Sequence, residues 1–156
     1  MSSNITTAFD AIKTKMNTTF PLGSGYYQIT NPYLLSDNTE SSKAKGWGIA
    51  VKSGLNTRKQ ISCYLTMSRN IDIVLVRMSN GSDLLTSNKE LATKALLEDQ
   101  FTLIQSLEQE PTLNNATSNI IKFEYDSDTG IEFIESGMES FFVINTTFSL
   151  EYFETL

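Results

Sequence analysis

Residues 70–78, Asn-Ile-Asp-Ile-Val-Leu-Val-Arg-Met, predict the strand around which the rest of the domain is arranged. Its β-branched side chains favour an extended strand. Because Val74–Val76 are apolar at consecutive positions, both faces of this strand need cover, which is typical of a central, buried strand. Asp72 and Arg77 interrupt the apolar run, and we expect them to pair with side chains across strands. Catalysis at Asp72 would need a second acid and a pocket.

The residues around this strand predict more of a sheet. Residues 61–67 predict a preceding strand that is separated from it by a turn near Ser68-Arg69. Residues 119–125 and 131–135 predict a hairpin. Its loop is Asp126-Ser127-Asp128-Thr129-Gly130, with the glycine in the left-handed conformation.

Two amphipathic helices are expected. Residues 4–18 carry apolar side chains at steps of three and four, which places them on one helical stripe that extends to Phe20. The members of this stripe are Ile5, Phe9, Ile12, Met16 and Phe20. Residues 88–109 predict the second helix, which begins with a capping box formed by Ser87 and Glu90.

The order of these elements predicts an α+β fold. We expect a single domain over residues 1–156, with a last strand at residues 141–152. The sheet is expected to be mainly antiparallel or mixed, with both helices packed on one side of it.

Residues 36–60 are polar and weakly periodic, so we expect a long loop there that contains one short strand at 46–52. A loop of this length in a compact domain is usually functional.

The composition argues against most enzyme chemistry. The chain has no histidine and one cysteine, Cys63. This excludes Ser-His and Cys-His nucleophiles, an intramolecular disulfide, and most metal sites with nitrogen or sulfur ligands. Carboxylate, lysine and tyrosine chemistry stays open. We therefore expect no enzyme activity, no cofactor and no metal.

Asp126 and Asp128 are spaced like two ligands of a calcium loop. Such a loop would need a third oxygen donor two residues on and a glutamate at its twelfth position. Gly130 and Gly137 stand at those places. A polar hairpin turn is therefore favoured over a cation site.

Nothing in the sequence indicates a membrane protein. No run of about 18 apolar residues occurs, so we expect no membrane-spanning segment. The first 20 residues lack the apolar core and small residues of a secretion signal. We therefore expect a cytosolic protein in which Cys63 is a reduced core residue.

Charge is divided unevenly along the chain, whose formal net charge is −6. Residues 1–94 contain 11 of the 12 basic side chains, whereas residues 95–156 contain one basic and 12 acidic side chains. A subunit of this kind can present a basic and an acidic surface that attract each other between copies, head to tail. Two alternatives are contact of the basic segment with nucleic-acid phosphates and a solvated loop with a few lysines.

The residues expected at such an interface come from both parts of the chain. The basic candidates are Lys43, Lys45, Lys52, Arg58 and Lys59, and the acidic ones are Asp126 and Asp128. Trp47 lies between two glycines. It is expected either to anchor the interface or to pack on the sheet at the base of the loop.

Several local sequences, in this order, resemble the tail terminator proteins of long-tailed bacteriophages, which are also called tail completion or head–tail joining proteins. The resemblance covers residues 4–153. It begins with an amphipathic helix and ends with an acidic second helix and two strands. The sequences that carry it are Phe20-Pro21-Leu22, Asn31-Pro32-Tyr33, Asp37-Asn38, Lys45–Gly54, Ile73–Arg77, Asp128–Glu132 and Phe148–Tyr152.

The resemblance implies a structural role in the virion. Members of this family form a hexameric ring on the head-proximal end of the tail tube, stop its polymerisation and offer a docking surface to head completion proteins. It implies as partners further copies of the chain, the major tail tube protein and a head completion or connector protein, with DNA passing through the channel without specific binding. It also implies a location in the tail or neck of the virion after assembly in the host cytoplasm.

Two other functions remain open at this point. The first is another virion assembly module of similar architecture, either a head completion protein or a tail-tube protein. The second is a small enzyme that uses carboxylates such as Asp126 and Asp128.

Overall fold

Two long strands form the centre of the sheet. They pair antiparallel without interruption from Tyr64 opposite Thr155 to Ser79 opposite Ser140. The computed structural model describes residues 3–21, 25–29, 32–33, 45–57, 63–79, 86–108, 113, 119–136 and 139–155. The elements in chain order are α1 (Asn4–Thr19), β1 (Tyr26–Gln28), β2 (Lys45–Asn56), β3 (Tyr64–Ser79), α2 (Thr86–Glu108), β4 (Ile120–Ser136) and β5 (Glu139–Thr155).

The five strands form one sheet in the order β1-β2-β3-β5-β4. β1 pairs with β2 in parallel, and the other neighbouring strands are antiparallel. The stretch around Val74 is therefore a central strand, as its sequence predicts. The sheet ends at the three-residue strand β1 on one side and at the 17-residue strand β4 on the other.

Both helices pack on the same face of the sheet, which confirms the predicted α+β architecture. α1 contributes Ala8, Ile12 and Met16 to the core. α2 contributes Leu96, Leu103 and Leu107. They meet the side chains of the central strands that point to this face, which are Ile71, Ile73, Leu75, Phe142, Ile144, Phe148 and Leu150. The helices also contact each other, with 2.6 Å between the hydroxyl oxygens of Thr19 and Ser106.

The opposite face of the sheet holds a smaller apolar cluster. Val74 and Val76 of β3 pack there with Phe141 and Val143 of β5, and with Tyr27 and Ile29 from the chain around β1. This chain passes so close to β2 that a Cβ atom on Gly48 would lie 2.8 Å from the Cβ atom of Pro32. Gly48 thus lets the backbone of β2 approach the residues that follow β1, and Gly46 makes room for the Tyr27 ring of β1.

Two predicted turns are continuous strands in the structure. Ser68-Arg69 lies within β3, because backbone pairing to β2 on one side and to β5 on the other carries the strand through these polar residues. The segment 126–130 lies within β4, where register shifts against β5 absorb the extra residues. The predicted hairpin loop is therefore wrong, although Gly130 has the predicted positive φ of 72°.

The short strand predicted at 46–52 is confirmed, but it is longer than expected, so the predicted polar loop is wrong at residues 45 and 53–56. Residues 45–56 form β2, a strand of 12 residues that pairs with β3. Residues 36–44 and 58–60 lie outside the described residues. Cys63, predicted to be in the core, is exposed.

The close approach at Gly48 gives a test of the packing. We expect Gly48→Ala to lower the free energy of unfolding by about 1–3 kcal/mol, because the new methyl group meets the rigid ring of Pro32. Gly54→Ala is the matched control. Its Cβ atom would meet the end of the flexible Arg69 side chain, which can move aside, so the loss should be smaller. Urea denaturation of both variants checks this, and equal losses would contradict it.

Candidate interface at the two sheet edges

The two edges of the sheet carry opposite charges. One edge consists of β1 and the outer side of β2, and it holds Lys45 and Lys52; we call it the basic edge. The other edge is β4, called here the acidic edge. Among its side chains that the structure describes, four carboxylates and one lysine are exposed: Glu124, Asp126, Asp128, Glu132 and Lys122. The sequence-predicted residues on β2 and β4 therefore lie at opposite ends of one sheet. Lys43, Arg58 and Lys59 lie outside the described residues.

Tyrosine rings hold the two lysines of the basic edge. The Lys45 ammonium lies 5.3 Å from the ring centroid of Tyr26, and the Lys52 ammonium lies 5.1 Å from that of Tyr33. A cation over an aromatic face is attracted by the ring quadrupole while it stays in contact with water. These contacts keep positive charge at the sheet edge.

Tyr33 also binds the backbone of the basic edge. The Val51 N–H donates to the Tyr33 hydroxyl oxygen at 2.8 Å, and this hydroxyl lies 3.3 Å from the Val51 carbonyl oxygen, to which it donates. An outward-facing N–H and C=O of an edge strand would otherwise be open to pairing with another strand. One side chain thus occupies both backbone groups of Val51.

Two arginines of the central strand β3 bind groups of the same subunit. Arg77, predicted to pair across strands, instead forms an ion pair of 3.4 Å with Asp99 on α2. The Tyr26 hydroxyl donates to the same carboxylate, and burial followed by this hydrogen bond raises the pKa of Tyr26 well above its usual value. Arg69 donates to the Lys52 carbonyl oxygen at 2.9 Å and to the Tyr152 hydroxyl at 3.3 Å.

Asp128 is held in place on the acidic edge. Its carboxylate accepts hydrogen bonds from the Tyr125 hydroxyl at 2.8 Å, the Gln100 side-chain amide at 3.1 Å and the Gly130 N–H at 2.7 Å. These three donors, the Tyr125 hydroxyl first, hold the pKa of Asp128 below its ordinary value of 3.8. The same contact raises the pKa of Tyr125. This carboxylate therefore stays charged down to low pH.

Asp126 is less constrained than its neighbour. Its carboxylate accepts a hydrogen bond of 3.2 Å from the hydroxyl of Ser127. Among the described residues there is no group of three or more His, Cys, Asp or Glu side chains that could hold a metal ion. The spacing of these two aspartates favours a hairpin turn, but this prediction is wrong. Both residues lie in edge strand β4, next to register shifts against β5.

A residue of α2 contacts the backbone of the acidic edge. Glu108, the last residue of the helix, accepts a hydrogen bond from the N–H of Tyr125. Each sheet edge thus has a backbone group that is bound by a side chain from another part of the chain. The sequence did not indicate either contact, because Tyr33 and Glu108 are 18 and 17 residues away from their partners.

Trp47 is a core residue. It is 1% exposed and packs with the helices on the main core of the sheet. Of the two alternatives, packing on the sheet is therefore correct, and Trp47 does not present a surface to a partner. A Trp47→Ala substitution would test folding rather than an interface.

Asp72 has the cross-strand partners predicted for it. Its carboxylate accepts hydrogen bonds from the side chains of Asn145 at 3.2 Å and Thr147 at 2.8 Å, both on β5. The residue is 9% exposed. These neutral donors satisfy a charge that would be costly to bury alone.

Models of known protein families and curated proteins were compared with this chain, and none matches. Within the described residues, no helix is long and apolar enough to cross a membrane.

The network around Asp128 predicts a pH dependence of stability. Since its pKa is lowered in the folded state, the charged form stabilises the fold above pH 3.8, and this contribution is lost as the pH falls through the lower folded value. We expect Asp128→Asn to lower the free energy of unfolding at pH 7 by about 1 kcal/mol or less, since the site is exposed. The difference from the parent should shrink at pH 3.

Asp126→Asn is the matched control for this experiment. It removes the same charge from the same strand but leaves the three donors of Asp128 in place, so its effect should be smaller. Urea denaturation at both pH values provides the measurement. A loss for Asp128→Asn that is equal at pH 7 and pH 3 would contradict the expected linkage.

Proposed function

We propose that this chain is a structural virion protein that caps the head-proximal end of a phage tail tube. Its copies would form a ring around the channel, expected to be hexameric. It would end tube polymerisation and offer a joining surface to the head completion or connector protein. In this role the chain is part of the tail or neck of the virion and is assembled in the host cytoplasm, and DNA passes through the channel without specific binding. The resemblance to tail terminators supplies the identity of the assembly.

The observation that carries the proposal is the opposite charge of the two sheet edges. Contact between a basic edge and an acidic edge is heterologous, because different surfaces of the two copies meet. Repeated contacts of this kind make a ring where the rotation closes, and an open filament where it does not. The arrangement therefore supports assembly of several copies in one direction around an axis.

The net negative charge of the chain suits a ring through which DNA passes. Protein binds DNA mainly by neutralising phosphates with lysine and arginine. Arg69 and Arg77 are engaged within the subunit, and the net charge of the chain is −6. A ring of such subunits would repel phosphates at close range, so DNA could slide through it.

A tail-tube protein is the second candidate, since the same charged edges also suit an open filament. Electron microscopy of the purified protein separates the two functions. Closed rings, or a monomer that binds one end of added tubes, support the terminator. Long tubes formed by this chain alone would replace it with the tube-forming alternative.

The direct test is the capping of purified tail tubes from the phage that encodes this chain. We expect a ring at one end of each tube and an arrest of further growth, seen by negative staining. Raising the salt concentration should weaken the ring, because salt screens exposed charges. Tubes that grow unchanged in the presence of the protein would contradict the proposal.

Charge-reversal variants locate the contact within this assay. Asp126→Lys should reduce the fraction of capped tubes, and combining it with Lys52→Glu in one chain should restore much of it. The matched control is Asp10→Lys, which makes the same charge change on an exposed position of α1. If Asp10→Lys and Asp126→Lys lower capping equally, net charge rather than the acidic edge determines assembly.

A further inference from the structure

In the described part of the chain, each edge of the sheet has an outward backbone group that is bound by a side chain of the same subunit. On the basic edge, Tyr33 binds the N–H and C=O of Val51. On the acidic edge, Glu108 binds the N–H of Tyr125. The two contacts lie on the first and last long strands of the sheet, β2 and β4.

Edge strands need protection because their free N–H and C=O groups can pair with strands of other molecules. Register shifts interrupt β4 between Ile120 and Lys122, between Tyr125 and Ser127, and between Asp128 and Ile131. Tyr125 is the last residue of the regular stretch Lys122–Tyr125. Glu108 thus binds the acidic edge at one of the places where another strand could still align.

On the other edge, β1 covers the outer side of β2 from Lys45 to Trp47, and Ile29 donates to the Trp47 carbonyl oxygen. Val51 lies beyond the residues that pair with β1, and among the described residues it is Tyr33 that binds its outward N–H and C=O. Tyr33 is 58% exposed, and its ring is held beside Lys52. Its hydroxyl can therefore leave Val51 without opening the core.

We propose that the two edges pair between copies of this chain, β2 of one copy against β4 of the next, and that Tyr33 and Glu108 guard them in the free subunit. Pairing displaces each guard and replaces its hydrogen bond with one between strands. The identity of the partner as a second copy rests on the proposed function, whereas the guarding role rests on the contacts alone.

The charges of the two edges favour pairing of β2 with β4 over pairing of two identical edges. β4 exposes Glu124, Asp126, Asp128 and Glu132 against Lys122, so two acidic edges repel each other. The lysines on β2 likewise oppose pairing of two basic edges. The unlike edges attract each other, and like charges opposite one another on paired strands destabilise the pair.

The test removes each guard and measures self-association without tail tubes. Tyr33→Phe keeps the ring beside Lys52 but removes the hydroxyl, and Glu108→Ala removes the carboxylate. Native mass and hydrogen exchange are measured across a concentration series. We expect each variant to assemble at a concentration about two- to tenfold lower than the parent, the ratio typical of one hydrogen bond. Exchange at Val51 and Tyr125 should become faster in the unassembled protein.

Matched controls separate guarding from other effects. Tyr64→Phe removes the hydroxyl of another exposed tyrosine, on central strand β3, and should leave assembly unchanged. Glu108→Gln removes the charge but keeps an oxygen that can accept from Tyr125, so it should resemble the parent. If Glu108→Gln assembles like Glu108→Ala, charge repulsion rather than guarding explains the result and the proposal fails.

Two further outcomes complete the test. Guard variants that stay monomeric at every concentration, like the parent, overturn the proposal. Guard variants that form rings or chains while the parent does not cap tail tubes support edge pairing and count against the terminator function. The two proposals can therefore fail separately.

Discussion

The backbone ladder between β3 and β5 joins Tyr64–Ser79 to Ser140–Thr155 without interruption, and β2, β4 and both helices contact one of these two strands. One face of this ladder receives both helices, and the other holds the smaller cluster around Val74 and Phe141. Because these two strands occupy the centre, β2 and β4 must lie outside them. The ladder therefore determines which residues stand at the edges of the sheet.

Because β2 and β4 lie on opposite sides of the central strands, the uneven charge along the sequence becomes an uneven charge across the sheet. The basic first part of the chain supplies β2, and the acidic last part supplies β4. The arginines near the centre are neutralised or hydrogen-bonded inside the subunit, as Arg77 is by Asp99. The sheet thereby presents a basic edge and an acidic edge on its opposite sides. This charge distribution is the basis for our proposal that copies associate head to tail rather than as a symmetric dimer.

The sequence predicted the elements that have strong local patterns, and it failed where tertiary pairing overrides local preference. Val74–Val76 indicated a central strand, and the stripe through Ile12 and Met16 indicated α1. Ser68-Arg69 and Asp126–Gly130 have turn-like composition, but pairing with neighbouring strands keeps both extended. β2 contains three glycines, and its first two make room for Tyr27, Ile29 and Pro32, which no local pattern reveals. The contacts of Tyr33 and Glu108 depend likewise on long-range placement.

Cysteine cross-linking shows whether the basic edge of one copy meets the acidic edge of the next. In a Cys63→Ser background, chosen because Cys63 is exposed, Lys52→Cys and Asp126→Cys variants are purified separately, mixed under assembly conditions and oxidised. If the unlike edges meet, we expect disulfides that join position 52 of one variant to position 126 of the other, identified by mass spectrometry. Disulfides formed only between identical positions would contradict it.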